Sequence, residues 1–234
     1  VIVSVHLAEV GPRAGFGILR RRPRPAQVAG LHYAETVTTA PLGKGLFPKP
    51  SLGRVGMIAA WEDDAALDRF AASHPLGERL DGGWELRLEP LHVFGSWAGV
   101  PWLTAAPANG DGPKPAADEE PVAVLTLGRL RPSRALPFLR SAAAAEAAAV
   151  ASPALLAATG LARPPIVSTF SLWRSAAEMK QYAFGSAGAH QAAVGADRAQ
   201  PFHRESAFIR FRPYASRGRW DDRDPLAGTG LSAA

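Results

Sequence analysis

The chain has 234 residues, 47% of them apolar, with ten Phe and six Trp, so it can bury one large core or two of roughly 100 residues each, and disorder throughout is excluded. It has no Cys, which rules out a disulfide framework, a thiolate nucleophile, a zinc ribbon or an iron–sulfur cluster and leaves any metal to His, carboxylate or Tyr. Lys and Arg outnumber Asp and Glu by 26 to 21, but no RNP-like or helix-turn-helix pattern accompanies the excess, so nucleic acid is not an expected partner.

The chain opens on a strand: Val1, Val3, Val5 and Leu7 alternate with Ile2, Ser4, His6 and Ala8, a pattern that predicts one buried face. What is present there has neither the basic start nor the apolar stretch of a signal peptide, and the chain reads as cytoplasmic. After Gly15 a short helical region is broken by Pro23 and Pro25, and Arg20, Arg21, Arg22 and Arg24 cluster there. The cluster reads as a solvated loop or, equally, as a peripheral contact with the inner face of an anionic membrane. His32 opens the next strand. Val55 to Trp61, VGMIAAW, is a strand followed by the helical stripe Leu67, Phe70 and Ala71, with Glu62, Asp63 and Asp64 as capping acids. His74 precedes Pro75 at a helix end, and Trp84, Leu86 and Leu88 alternate with Glu85, Arg87 and Glu89 in an amphipathic strand. His6 and His92 fall on the polar side of their strands, which predicts surface roles.

From Thr104 to Glu120 Pro, Gly, Ala and acids replace the large apolar residues, as in a flexible linker. Val122 to Leu127 then opens a second half as Val1 opened the first. Arg134 to Val150 predicts an alanine-rich helix stopped by Ser152-Pro153, and the window Ala142 to Ala162 is too broken by Glu146 and Pro153 to span a bilayer. Val167 to Trp173, VSTFSLW, repeats the earlier strand, with Trp61 and Trp173 112 residues apart. Ser175 and Glu178 have capping-box spacing for the following helix. LRLEP at Leu86 and IRFRP at Ile209 match at an offset of 123, which places the 11 extra residues of the second half in a loop around Ala192 to Pro201. The order strand, helix, strand, strand, helix, strand in each half predicts an α+β fold, a tandem duplication of a ferredoxin-like unit of the dimeric α/β-barrel type. The predicted boundaries are 1–103, a linker at 104–120, 121–226, and a tail at 227–234.

No Walker, HExxH, G-x-S-x-G or EF-hand motif is present, and no Gly-rich turn marks a flavin or nicotinamide site. If the helix after Ser175 continues past Gly185, then Met179, Tyr182, Ser186 and His190 share its inward stripe. There His190 fits either a hydrogen-bonded core residue or a metal ligand, and its counterpart at the 112 offset is Glu78, so one half alone carries it. Phe170, Trp173, Phe208 and Phe211 fit either a pocket for a long apolar molecule or plain core. Arg210 and Arg212 lie on the opposite strand face from Ile209 and Phe211, positioned for a cofactor's acidic groups or for water.

Several runs resemble the bacterial spheroidene monooxygenase family of carotenoid pathways: LLAATGLARPP, STFSLWRSAAEMKQYAF, AHQAAV around His190, FHRESAFIRFRP and GRWDDRDPL in the second half, and RVGMIAAWEDDAALDRF and GSWAGVPWL in the first. The resemblance covers most of the chain outside the linker. It implies an O2-dependent oxygenase acting near the end of an acyclic carotenoid, with a b-type haem whose iron is held by His190. The residue pattern itself places Tyr182 and Arg210 at the cofactor and Phe170 and Trp173 in the substrate pocket, and, with no flavin or nicotinamide site, such a reaction needs an external electron donor of the ferredoxin type. Haem iron needs one protein donor, which a neutral imidazole on a helix supplies, and an open position for O2. Two other readings use the same scaffold: a non-catalytic module binding haem or a hydrophobic ligand, and an enzyme for a small soluble substrate.

Overall fold

The structure, a computed structural model, describes residues 1–43, 45, 49–98, 116–185, 192, 195, 201–229 and 231. The first half comprises β1 (Ile2–Glu9), α1 (Pro12–Arg20), a 3-10 turn (Pro25–Gln27), β2 (Leu31–Ala40), β3 (Ser51–Trp61), α2 (Asp64–Ser73), α3 (Pro75–Leu80) and β4 (Trp84–Gly95). The second half follows the same plan: β5 (Val122–Leu130), a 3-10 turn (Pro132–Arg134), α4 (Ala135–Val150), β6 (Leu155–Arg163), β7 (Ile166–Trp173), α5 (Ala176–Phe184) and β8 (His203–Gly218). All pairings are antiparallel, and the strands close into one eight-stranded barrel in the order β1-β3-β2-β6-β7-β5-β8-β4. This is the ferredoxin-like, dimeric α+β-barrel architecture with both units in one chain. No helix among the described residues is long and apolar enough to cross a membrane.

Local sequence explains the helices. Ser175 accepts from the Glu178 backbone N–H and its hydroxyl meets the Glu178 carboxylate at 3.1 Å, completing the capping box that starts α5. Asp63 caps α2 through the Ala66 N–H, and His74 caps α3 through Leu76. α1 begins on Pro12, and Gly15 lets it lie directly on β3, because a Cβ there would collide with the Leu52 carbonyl oxygen. α5 is described to Phe184, so its continuation to His190 lies outside the described residues, as do the insertion around 192–201, apart from residues 192, 195 and 201, and the linker from 104 to 115. Residues 116–120 lead into the second half, and the Glu120 and Asp118 carbonyls accept from Ala176 and Ala177 at the start of α5.

Alternation along each strand splits the apolar residues into three cores. Val3, Val5, Leu7, Leu86, Leu125, Phe170, Ile209 and Phe211 fill the barrel; Trp84, Trp220 and Leu226 join them. Outside it, α1, α2 and α3 cover Met57, Ala59 and Trp61, and α4 and α5 cover Val122 and Trp173.

This helical layer changes the reading of the first strand. β1 is buried on both faces, and His6, expected at the surface, is only 4% exposed. Its Nε2 lies 3.0 Å from Ser4 Oγ, which also accepts from Trp61 Nε1 at 2.9 Å, and its Nδ1 faces the buried Glu85 carboxylate at 3.8 Å. Glu85 is bonded in turn to Arg87 at 3.0 Å and Arg217 at 3.2 Å. Burial lowers the His6 pKa to about 4, Glu85 opposes the shift, and Arg217 and Arg87 reinforce it.

Because its folded pKa lies below its unfolded value, His6 leaves stability intact above about pH 6.5 and erodes it as pH falls toward 4. From pH 7 to 5 this term costs roughly 2 kcal/mol. Urea unfolding at the two pH values should therefore show His6→Gln losing that much less than the parent on acidification. Equal losses in both proteins would refute the assignment.

Candidate functional site

Two seams join the halves. β4 and β8 pair from Trp84–Gly218 to Gly95–Ala207, whereas β2 and β6 pair only at Thr38–Ala162, Thr39–Leu161 and Ala40–Gly160. Beyond Ala162 the chain turns from β6 into β7, so Leu31 to Val37 of β2 are laced to β3 alone. Unpaired backbone in a buried wall needs other partners. Arg163 supplies them: Nη1 donates to the Thr36 hydroxyl at 3.1 Å and the Thr36 carbonyl at 3.4 Å, and pairs with Glu35 Oε1 at 3.0 Å. Arg22 Nη1 donates to the other Glu35 oxygen at 2.8 Å. The carboxylate is thus clamped between two guanidiniums, its side chain 5% exposed while those of Arg22 and Arg163 are 49% and 32% exposed.

Beneath this clamp the barrel holds an apolar cavity of about 20 Å³, lined by Tyr33, Glu35, Leu127, Ile166, Ser168 and Phe211 among others. That is room for one water. The Ser168 hydroxyl is buried on this lining and has no hydrogen-bond partner among the described residues. Tyr33 is raised above the usual phenol value, first by burial and then by the charge of Glu35, against the hydrogen bond from Trp97. Arg129 lies 5.1 Å over the Trp97 ring and pairs with Glu205 at 3.1 Å. A cavity of this size, with the Ser168 hydroxyl unpartnered on its wall among the described residues, suits one small polar guest such as a water molecule.

Of the pocket and cofactor residues singled out from sequence, Phe211 lines this cavity, and the others that are described lie elsewhere. Phe170 is fully buried inside the barrel, 6.2 Å from Trp84. Trp173 faces outward beneath the helices, stacked on Tyr182 at 4.8 Å. The Tyr182 hydroxyl donates to the Ala145 carbonyl at 2.9 Å, and burial, helped by Glu146, pushes its pKa up to about 12. Arg210 lies 5.3 Å over Phe94 on the outer face of β8, its pKa lowered by burial. His190 lies outside the described residues.

The expectation of a haem is corrected by this geometry. Among the described residues no three His, Asp or Glu side chains converge to hold a metal, no histidine lines the cavity, and its volume is far below the several hundred Å³ that a macrocycle fills. Tyr182 and Arg210 engage protein groups, a backbone carbonyl and a neighbouring ring. The described residues therefore do not support a haem-dependent mechanism.

Sequence reasoning missed Tyr33, Glu35, Arg163 and Ser168. The available signal was Glu35 itself, a lone carboxylate within the strand run YAETVTTA.

If the clamp neutralises a buried carboxylate, removing its partners should cost more than removing the acid. The double change Arg22→Met and Arg163→Met should destabilise by about 3–5 kcal/mol, because it strands a buried charge. Glu35→Gln should cost roughly 1 kcal/mol, because both arginines can turn to water. Chemical denaturation at neutral pH ranks them, and the reverse order would disprove the clamp.

No family model matches the chain. It is 33% identical over 232 residues to the spheroidene monooxygenase of Rubrivivax gelatinosus, covering 95% of this chain and 86% of that protein. It is 30% identical over 221 residues to the spheroidene monooxygenase of Rhodobacter capsulatus, covering 90% and 86%. Among solved structures, aldoxime dehydratase matches 91% of this chain and 81% of its own with a TM-score of 0.50 and 12% identity, a likeness of fold. At this identity and coverage, the chain belongs to the spheroidene monooxygenase family.

Proposed function

We propose that the protein is an oxygenase that adds one atom of O2 near the end of a long acyclic polyene, a carotenoid of the spheroidene class, admitted to the barrel through the short β2–β6 seam. Family membership supports an oxidoreductase of the monooxygenase kind. The observation that carries the reading further is the apolar cavity beneath that seam, with Ser168 unpartnered among the described residues and Tyr33 and Glu35 beside it. The resting cavity holds about one water, so a chain end enters only as the seam widens. The seam has just three rungs to lose, and the ion pairs beside it involve half-exposed arginines.

The stoichiometry requires two electrons and two protons for each O2, with one oxygen atom kept by the polyene and the other leaving as water. An external donor of the ferredoxin type supplies the electrons in this reading. The substrate dissolves in lipid, so a peripheral contact with the inner membrane face, through the cluster at Arg20 to Arg24, belongs to the same proposal.

Incubation of the purified protein with an acyclic carotenoid, reduced ferredoxin and isotope-labelled O2 should give a product carrying one labelled oxygen. Ser168→Val, which takes up the one-water space and removes the hydroxyl, should lower the rate at least about ten-fold while the circular dichroism stays native. Unlabelled product, or full activity in a folded Ser168→Val variant, would overturn the assignment.

A further inference from the structure

The arginine cluster divides in the structure. Arg22 turns inward to Glu35, while Arg20, Arg21 and Arg24 are exposed and, like Arg13, have no ion-pair partner among the described residues. α1 adds an apolar group to this surface. Arg13, Phe16 and Arg20 are spaced i, i+3 and i+7, one stripe of the helix, and all three are exposed, with Phe16 at 54%. The Arg20 guanidinium lies 5.6 Å over the Phe16 ring. The opposite face, Gly15 and Ile18, is buried on the barrel, and the Thr36 hydroxyl donates to the Ile18 carbonyl. α1 is therefore fixed by one face and unpartnered on the other.

We infer that the outer face of α1, with Arg13, Phe16 and Arg20, together with Arg21 and Arg24 just beyond its end, is a docking surface for an anionic lipid bilayer, and that it sets the β2–β6 seam against the membrane. The inference rests on the lipid-dissolved substrate proposed above. Charge complementarity and the exposed phenylalanine favour a bilayer over nucleic acid: cations on one helix face and in the turn that follows it suit headgroup phosphates, and a lone aromatic among them suits the headgroup–acyl boundary. Continuity with the site adds to this, because Arg22, one residue beyond Arg21, is a jaw of the Glu35 clamp. The membrane-facing helix and the entrance to the cavity are thus joined by a short stretch of backbone.

Sedimentation with phosphatidylglycerol-containing vesicles tests this directly, with pure phosphatidylcholine vesicles and an RNA homopolymer as comparison partners. The parent should bind the anionic vesicles, release at about 1 M salt, and ignore the neutral ones. Changing Arg13, Arg20, Arg21 and Arg24 together to Gln should weaken vesicle binding at least about ten-fold, and the same four changed to Lys should retain it. Phe16→Ala should weaken binding by about ten-fold with less effect on its salt dependence. Each variant keeps Arg22 and should turn over detergent-solubilised carotenoid at the parental rate but vesicle-borne carotenoid more slowly. If no protein, parent included, acts on solubilised carotenoid, the catalytic reading fails while vesicle binding still decides the docking surface. Equal sedimentation of the parent and the Gln variant, or salt-sensitive binding to RNA with none to vesicles, would overturn it.

Discussion

A barrel closed from two four-stranded halves must be joined at two seams, and each strand edge left unlaced exposes backbone groups that need partners. Here the two joints are unequal. β4 and β8 are laced along most of their length, whereas β2 and β6 share three rungs. The long seam fixes the halves relative to one another, with Trp84 donating to Ser216 across it at 2.9 Å. The short seam leaves part of the wall to be completed by side chains. The clamp on Glu35 and the cavity beneath it lie where the short seam leaves β2 unlaced.

Side chains close a wall differently from a β ladder. A carboxylate buried with two guanidiniums recovers its lost hydration only while both remain, whereas the arginines, half exposed, can exchange it for water. Such a joint can hold the seam shut and also part at a modest cost. The other end of the barrel is filled by Trp84, Trp220, Leu226 and the partly buried Leu231, packed in the same core as Phe170. The contrast supports entry from the seam side, where the polar groups Tyr33, Glu35 and Ser168 meet the apolar interior.

The duplication was legible because its markers are local. Trp61 and Trp173 each end a strand and face the helical layer, Trp61 donating to Ser4 of β1 and Trp173 to Ser171 of its own strand, so the placement recurs although the serine partner does not. The caps at Asp63 and Ser175 were legible for the same reason. His6 and Glu85 were not, since alternation reports which face is apolar but not whether a helix covers the other; α2 and α3 lie over their strands, and both residues are buried in a network with Ser4 and Arg217. Phe170 and Trp173 stand three apart in a strand, which already places them on opposite faces. The site itself was hidden because Glu35 and Arg163 are 128 residues apart and meet only where the two halves join.

Entry through the short seam is tested most directly by fastening it. Thr38 and Ala162 face each other at its last rung, and the absence of other cysteines means that Thr38→Cys with Ala162→Cys can form only one intramolecular bond. The oxidised variant should fold as the parent does yet turn over an acyclic carotenoid at least about ten-fold more slowly, with the rate restored once the bond is reduced and the reductant removed. Equal rates in the oxidised and reduced forms would contradict entry at this seam.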